Sequence, residues 1–539
     1  MNDLGSNLAG RIFAKATAAG WDDRTALCEG TRCLTYSELA SEVGRGASVL
    51  SDLGLTPGER VAVYSPDCLE ASIAILAILY SGAIVVPISE LSAVNDLRNR
   101  LNNCGASVVI VHDSLHANVS QLRAELPGVR DIVSFGSSEA SGPGLTERIA
   151  SATAVPCRSV DDDTSAILLY SAGASNESNA FGLRGVLHNH SAPVLAHKSF
   201  ALGFLSMGEE DRVFSTVRLS TAYGLGTGLL FPLLSGAQVL LLPEQAHSGL
   251  VFDALVSFKP TIFAATPSLY GQLARDATEA GHAKILSDVR WCIAGAEDMP
   301  PQIIAMVRGV LGSNVTVGYG LTEAFQFVIA GEAAGRRPGN CGQILGGFEV
   351  RIVDDEGKIV GEDEIGTLEL RSDSIVNSYW GSNVKLEEDD GWFTTLDRFM
   401  VGAEGNYYHC GRVDNLFKVG GKWVAPDEVE RALLANESVW ECAVIGADDE
   451  DGLIKPFAFI VPNIGQTPGA ELEAELRDYV KNELAPYKYP RWIEFIDELP
   501  KGSSGIILRY KLRDRLKQSR GRRRAETRTP PVSKKAETE

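Results

Sequence analysis

The sequence predicts an α/β protein in which a large N-terminal domain of α/β subdomains plus a β-rich subdomain precedes a small C-terminal α+β domain. Three observations predict it. Between Leu34 and Ile88, short apolar runs such as RVAVYS and AIVVPI alternate with stretches of helical length. From Glu349 the runs shorten and are separated by Asp-Gly-type turns. With 539 residues the chain is too long for one core. The roughly 100 residues after Gly411 have the size of a separate domain.

The elements follow in order. TYSELASEVGRGASVLSDLG carries helical periodicity, RVAVYS reads as a strand, and ASIAILAILYSG reads as a largely apolar helix before the strand AIVVPI. ASVVIV and AILLYS continue the strand rhythm, with strands buried on both faces. FEVRIVDDEG, GTLELRS and NYYHCGR supply the shorter strands of the β-rich part. The last segment mixes strands (CAVIG, PFAFIV) with the helix ELEAELRDYVKNEL. The division is 1–411, then 412–518 with a hinge near Asp414, then a basic tail, 519–539, too poor in apolar residues to order itself.

A composition of 45% hydrophobic and 22% charged residues is that of a globular protein with a substantial interior. The formal charge of −20 argues against nucleic acid or an anionic membrane as the main partner, and leaves local phosphate binding open. No apolar run reaches the ~18 residues of a spanning helix, because Ala71 to Ile88 is interrupted by Tyr80, Ser81 and Gly82. Nothing at Met1 resembles a signal peptide. The nine Cys are scattered without a CxxC, and Cys28 and Cys33 have no second pair or nearby His to complete a metal knuckle. Buried reduced thiols in a cytoplasmic protein are the expectation.

Several separated stretches resemble the adenylate-forming superfamily of acyl- and aryl-CoA ligases. They are GLTPGERVAVYSPDCLEASIAILAILYSGAIVVPI, VGYGLTEA, RRPGNCG, DGWFTTLDR, GRVDNLFKVGGKWVAPDEVE and LPKGSSGIILRYKLRD, in family order over Leu34 to Arg513. FSTVRLSTAYGLGTGLLFPLLSGA is similar to the benzoate-CoA ligase branch. The resemblance implies two half-reactions, adenylation of a carboxylic acid by ATP and thioester formation with CoA, between which the small domain turns.

It also implies roles. In YGLTE, Tyr319 would stack on the adenine with Gly320 beside it in the nucleotide site, Thr322 would donate to phosphate, and Glu323 would hold Mg²⁺ when ATP is used. Gly295, Ala296 and Glu297 resemble the segment beside the adenine. Asp397 matches the carboxylate that accepts from the ribose hydroxyls, with Leu396 replacing the usual Gly, and Arg412 matches an arginine reaching the ribose or phosphate. Asp414 matches the hinge. Gly420 and Gly421 would let backbone approach the pantetheine of CoA closely. Trp423 would wall that passage or simply pack its domain, and Ala425 replaces the usual Ser. Acyl selectivity would come from Ala222, Tyr223, Gly318, Phe325 and Phe327, with core packing as the plainer reading of the two Phe. His188 and His190 read as local hydrogen-bonding residues, since no acidic or thiol companion makes them a metal pair.

Two stretches depart from the pattern. The phosphate loop, YSAGASNESNAFGLRGV, runs fourteen positions from Tyr170 to Arg184 against nine in the family, so about five residues are inserted. Ser171 and Gly173 remain, Ser175-Asn176 replaces Thr-Gly, Glu177 adds a negative charge, and Arg184 replaces Lys. A longer, more acidic cradle grips the β,γ-phosphates of ATP less well. In LPKGSSGIILRYKLRD the position of the adenylation lysine is Ile506. Losing one such preorganised donor costs roughly 10²–10³ in rate. Lys501 is expected to point elsewhere, as its counterpart does in relatives.

Both departures fall on adenylation, whereas the AMP-facing and CoA-facing residues are kept. The expectation is an enzyme that takes a preformed acyl-adenylate and CoA and performs only thioesterification, with a separate adenylating ligase supplying its substrate. This resembles the split ligase pairs of diterpenoid-antibiotic pathways such as platensimycin and platencin, making a bulky terpenoid acid one candidate beside aryl acids. A complete two-step synthetase and a non-catalytic adenylate- or acid-binding protein stay open, as does a homodimer. One introduced Lys→Ile exchange would not explain the inserted loop residues.

Overall fold

The computed structural model describes residues 7–136, 144–171, 183–295, 299–333, 339–376, 378–382, 386, 390–420, 422–449, 452–463, 465–501 and 507–526. Of residues 279, 414, 423 and 518–526 it describes the backbone. The chain divides into two compact units, one holding Met1–His409 and the other Cys410–Gly502 with the terminal helix Arg509–Glu526.

In the larger unit, a six-stranded sheet runs in the order Asp131–Phe135, Val108–His112, Arg60–Ser65, Ile84–Ser89, Ser165–Tyr170, Gly185–Asn189. Its first five strands are parallel and the last pair is antiparallel. The strands Arg60–Ser65 and Ile84–Ser89 are apolar almost throughout because both faces are covered. The helix Tyr36–Asp52 opens on a reciprocal cap, with Thr35 Oγ1 accepting from the Glu38 amide and Glu38 accepting from the Thr35 amide. The helix Leu69–Tyr80 is buried on nearly every side, which is why its sequence lacks a polar face.

A second, larger sheet carries the site. Its parallel strands Arg212–Ser215, Ile262–Ala265, Trp291–Ala294 and Val315–Gly320 lie side by side. After Val315–Gly320 the direction reverses into the antiparallel strands Phe327–Glu332 and Asn340–Ile344. The β-rich part, Glu349–Val353, Gly366–Arg371 and Phe393–Val401, continues the same sheet antiparallel. The main core fills the space between the two sheets and contains Leu76, Leu79, Val85, Ile167, Leu229 and Phe231. Arg218 ties the layers together, pairing with Glu90 at 2.6 Å and Asp67 at 3.6 Å and donating to the carbonyls of Leu242 and Glu244.

In the smaller unit, Val439–Asp448 pairs antiparallel with Ile454–Pro462, which pairs parallel with Trp492–Phe495. The helices Pro426–Leu434 and Ala470–Glu483 pack on this sheet through Val429, Leu433, Leu472 and Leu476. The terminal helix reaches Glu526, into the segment expected to be disordered, in keeping with the helix propensity of Arg and Lys. Residues 527–539 lie outside the described residues.

One expectation is corrected. Cys28 and Cys33 are not separate thiols but a disulfide. They sit directly opposite each other in the antiparallel pair Thr25–Glu29 and Arg32–Thr35, with Cα atoms 4.1 Å apart. The other seven Cys are free. No helix among the described residues is long and apolar enough to cross a membrane.

Candidate active site

The strand Val315–Gly320 delivers Gly318, Tyr319 and Gly320 to the carboxyl edge of the parallel strands, where open α/β sheets bind ligands. Tyr319 donates its hydroxyl hydrogen to Asp397 Oδ2 at 2.9 Å, and its ring meets Phe399 edge-on at 4.7 Å. Asp397 comes from the strand Phe393–Val401, whose alternation turns it inward, 3% exposed, while Leu396 faces out. The family's missing glycine neighbour therefore falls on the opposite face from the carboxylate. Thr395 Oγ1 accepts from the Asp397 amide at 3.1 Å, and His409 Nε2 donates to Asp397 Oδ1 at 3.2 Å. His409 also lies nearly parallel to the Tyr319 ring, 6.0 Å between centroids. Sequence reasoning passed over His409; its one signal was a titratable residue two positions before Gly411.

After Gly320 the chain makes a short helical turn, Thr322–Ala324, that ends in Phe325 at φ 67°. A non-glycine residue in the left-handed region is held there by its surroundings. The Thr322 carbonyl accepts both from the Phe325 amide at 3.0 Å and from His188 Nε2 at 2.7 Å. His188 is fully buried, and burial lowers its pKa to about 4, so it is a neutral imidazole with its proton on Nε2. Its ring stands edge-on to Phe325 at 5.0 Å. Phe325 thus packs away from Gly318, among His188 and Phe231.

Glu323 is buried, and its Oε1 accepts from the hydroxyl of Tyr379 at 2.7 Å. Burial first, then the neighbouring Glu323, push the Tyr379 phenol above its usual range. The guanidinium of Arg184 lies over the Tyr379 ring, 5.1 Å from its centre. Arg184 and Tyr379 meet because Val186 bridges Tyr379 and the Trp380 amide donates to the Gly185 carbonyl at 2.8 Å. Sequence reasoning did not single out Tyr379, which stands 56 positions from Glu323. The Ser171 amide donates to the Arg184 carbonyl, closing the base of the phosphate loop, and Ser171 Oγ is buried without a partner among the described residues. Gly173 and Ser175 lie outside the described residues.

Mg²⁺ commonly takes one or two carboxylates and completes its shell with substrate phosphate and water. Glu323, with Thr322 beside it, fits that role when a nucleoside triphosphate is present. Among the described residues no group of three or more His, Cys, Asp or Glu is placed to hold a metal by itself.

Of the residues expected at the acyl end, Ala222, Tyr223, Gly318 and Phe327 are buried or half-buried, and Gly295 adjoins them at the end of the strand Trp291–Ala294. Tyr223 donates to the Ile293 carbonyl at 3.1 Å and meets the Phe327 ring at 5.1 Å. Gln326, missed in the sequence, is buried there, its Nε2 donating to Thr227 Oγ1 at 3.0 Å. Ala296 and Glu297 lie outside the described residues.

The remaining candidates belong to the smaller unit. Arg412 ends the strand Tyr407–Arg412, and Asp414 sits in the helical turn Val413–Asn415. Gly420, at φ 56°, makes the turn between Phe417–Val419 and Lys422–Val424, with open space where a Cβ would stand. Gly421, Ile506 and the side chain of Trp423 are outside the description. Lys501 pairs with Glu441 at 2.7 Å.

Comparison with known proteins adds to this geometry. Residues 14–380 match the family "AMP-binding enzyme", and residues 428–505 match "AMP-binding enzyme C-terminal domain". The chain is 33% identical over 517 residues to a benzoate–CoA ligase of Thauera aromatica, covering 94% of this chain and 95% of that protein. It is 33% identical over 518 residues to a 4-hydroxybenzoate–CoA/benzoate–CoA ligase of Rhodopseudomonas palustris, covering 94% of each. Among solved structures it is similar to the anthranilate CoA ligase AuaEII in complex with anthranoyl-AMP. There the TM-score is 0.86 at 33% identity, covering 94% of this chain and 96% of the other.

Proposed function

The chain belongs to the AMP-binding enzyme family, and from that membership we propose an acyl-CoA ligase specialised for thioesterification, converting a preformed acyl-adenylate and CoA to acyl-CoA and AMP. The observation that carries this reading is Ile506, a hydrocarbon where adenylation needs a cation. The ligase class is supported by relatives whose names are benzoate–CoA ligases and by a solved relative holding an acyl-AMP.

In this step the CoA thiolate attacks the acyl carbonyl, a C–S bond forms, and the C–O bond to phosphate breaks with its electron pair leaving on AMP. The thiol proton passes to solvent. Asp397 would accept from the ribose hydroxyls while Tyr319 and His409 keep its carboxylate aimed, and Arg412 would meet the ribose or phosphate. Thr322 and Glu323 would face the phosphate, their turn held by His188 and Tyr379. Mg²⁺ held at Glu323 would supply charge neutralisation when ATP is bound. Gly420 and Gly421 would border the pantetheine after a turn about Asp414. The longer phosphate-loop sequence and the placement of Arg184 over Tyr379 support a weakened triphosphate grip. Lys501, paired with Glu441, is a poor substitute for the missing cation. A separate adenylating ligase would then supply the mixed anhydride.

The second reading is a complete two-step synthetase, favoured by the relatives' names and by the cation kept at Arg184. ATP–pyrophosphate exchange separates the two. The native chain is expected to exchange at background, and an Ile506→Lys variant with a shortened phosphate loop to gain roughly 10²-fold or more. No gain in that variant would sink the assignment of Ile506.

A further inference from the structure

The acyl end contains a feature that the family's chemistry does not require. Ala294 and Val317 are register partners on adjacent parallel strands, so Gly295 and Gly318 come side by side at the carboxyl edge. Two neighbouring glycines make a flat floor where an acyl group would lie. That floor is covered. A Cβ on Gly318 would stand 2.5 Å from Phe327 Cδ1, and one on Gly295 would stand 2.6 Å from Phe327 Cζ. The ring of Phe327 therefore lies in van der Waals contact across both glycines.

Its placement follows from the strand pairing. Phe327 is the register partner of Gly320, beyond an irregularity between Tyr319 and Gly320, and its side chain folds back over Gly318 on the same face. The other sides of the ring are closed by Tyr223 at 5.1 Å and Phe200 at 4.9 Å, edge-on. Phe200 is in turn stacked on Phe204 at 6.0 Å. Phe327 is 4% exposed, and a ring packed on all sides does not yield its volume cheaply.

We propose that Phe327 is a built-in stopper that shortens the acyl slot, so that the chain selects acyl groups smaller than a benzene ring and excludes aryl and bulky terpenoid acids. The inference rests on the acyl-adenylate reading above. It sets this chain apart from the benzoate and hydroxybenzoate ligases it resembles, and it replaces the larger acids considered from the sequence with a compact aliphatic carboxylic acid.

The test uses the full chain and non-hydrolysable adenylate mimics: 5′-O-sulfamoyladenosine without an acyl group, and its acetyl and benzoyl derivatives, titrated calorimetrically. The native protein is expected to bind the acetyl mimic about tenfold or more tighter than the benzoyl mimic. Phe327→Ala is expected to erase most of that preference by tightening the benzoyl mimic about tenfold or more, with Phe327→Leu intermediate and standing in if the alanine variant does not fold. Benzoyl binding as tight as acetyl in the native chain, or an acetyl-to-benzoyl ratio unmoved by either variant, overturns the stopper. Failure of unacylated sulfamoyladenosine to bind the native chain removes the adenylate reading and this proposal with it. Binding of that probe without dependence on acyl size removes the stopper alone.

Discussion

At the proposed nucleotide end of the site, side chains are aimed by polar partners: Tyr319 and His409 hold Asp397, Tyr379 holds Glu323, and His188 holds the Thr322 carbonyl. At the proposed acyl end the arrangement is steric, with the Phe327 ring wedged over Gly295 and Gly318 and walled by Tyr223 and Phe200. The first end presents acceptors whose direction is set before a ligand arrives, as charge-assisted recognition requires. The second presents volume, which discriminates by size. Substitutions should therefore act differently at the two ends, on affinity for the invariant nucleotide at one and on which acid is accepted at the other.

The largest expected effect is on acid stability, and it sharpens the account of the nucleotide end. Burial depresses the His188 pKa from 6.5 to about 4, so the neutral imidazole contributes stability above pH 6.5 that is lost as pH falls through about 4. For His188 this is on the order of 3 kcal/mol. His190 and His197 are lowered by burial in the same direction, to about 4 and about 3. Asp67 and Glu430 act oppositely: burial raises each to about 7, so their contribution is complete at low pH and is lost as pH rises toward 7. Denaturant unfolding of native protein and His188→Leu between pH 7 and 4 isolates the histidine, because the other groups cancel in the difference. The variant's stability is expected to fall less steeply below pH 6.5. Parallel curves would contradict a neutral buried His188.

Next in size is Asp397→Ala, which removes the acceptor that Tyr319 and His409 share. Sulfamoyladenosine affinity is expected to fall about 100-fold, with the ratio between its acyl derivatives unchanged. A change in that ratio would break the separation of the two ends. Gly318→Ala is smaller and opposite in kind. The added methyl meets the Phe327 ring at 2.5 Å and is expected to cost about 1–3 kcal/mol in unfolding free energy. In a Phe327→Ala background the same substitution should cost less than about 1 kcal/mol, and equal costs in the two backgrounds would show that the ring is not the obstacle. The smallest effect is at neutral pH, where His188→Leu leaves the Thr322 carbonyl with only the Phe325 amide and should cost about 1 kcal/mol.

Much of the proposed nucleotide end was legible in the sequence because its residues are local. Tyr319, Thr322 and Glu323 sit within five residues, and Asp397 is fixed by strand alternation. Its supporting residues were not legible. Tyr379 reaches Glu323 only because Val186 bridges it at the edge of the six-stranded sheet, and His409 reaches Asp397 from another strand. At the proposed acyl end the sequence offered glycines and aromatics without saying how they meet. Which aromatic faces the glycines depends on the left-handed Phe325, which sends one ring to His188 and leaves Phe327 to cover Gly318. A single sequence carries no sign of that turn. The Cys28–Cys33 pair was legible in principle, since a short Gly-containing turn between two β-type runs places residues five apart opposite each other.

The most direct test of the central claim dispenses with ATP altogether. Purified native chain is mixed with a chemically prepared acetyl-class acyl-AMP and CoA, and thioester is followed beside a parallel reaction given free acid, ATP and Mg²⁺. The account predicts rapid thioester from the adenylate and a rate roughly 10²–10³-fold lower from free acid and ATP. Equal rates from the two mixtures, or no thioester from the adenylate, would contradict it.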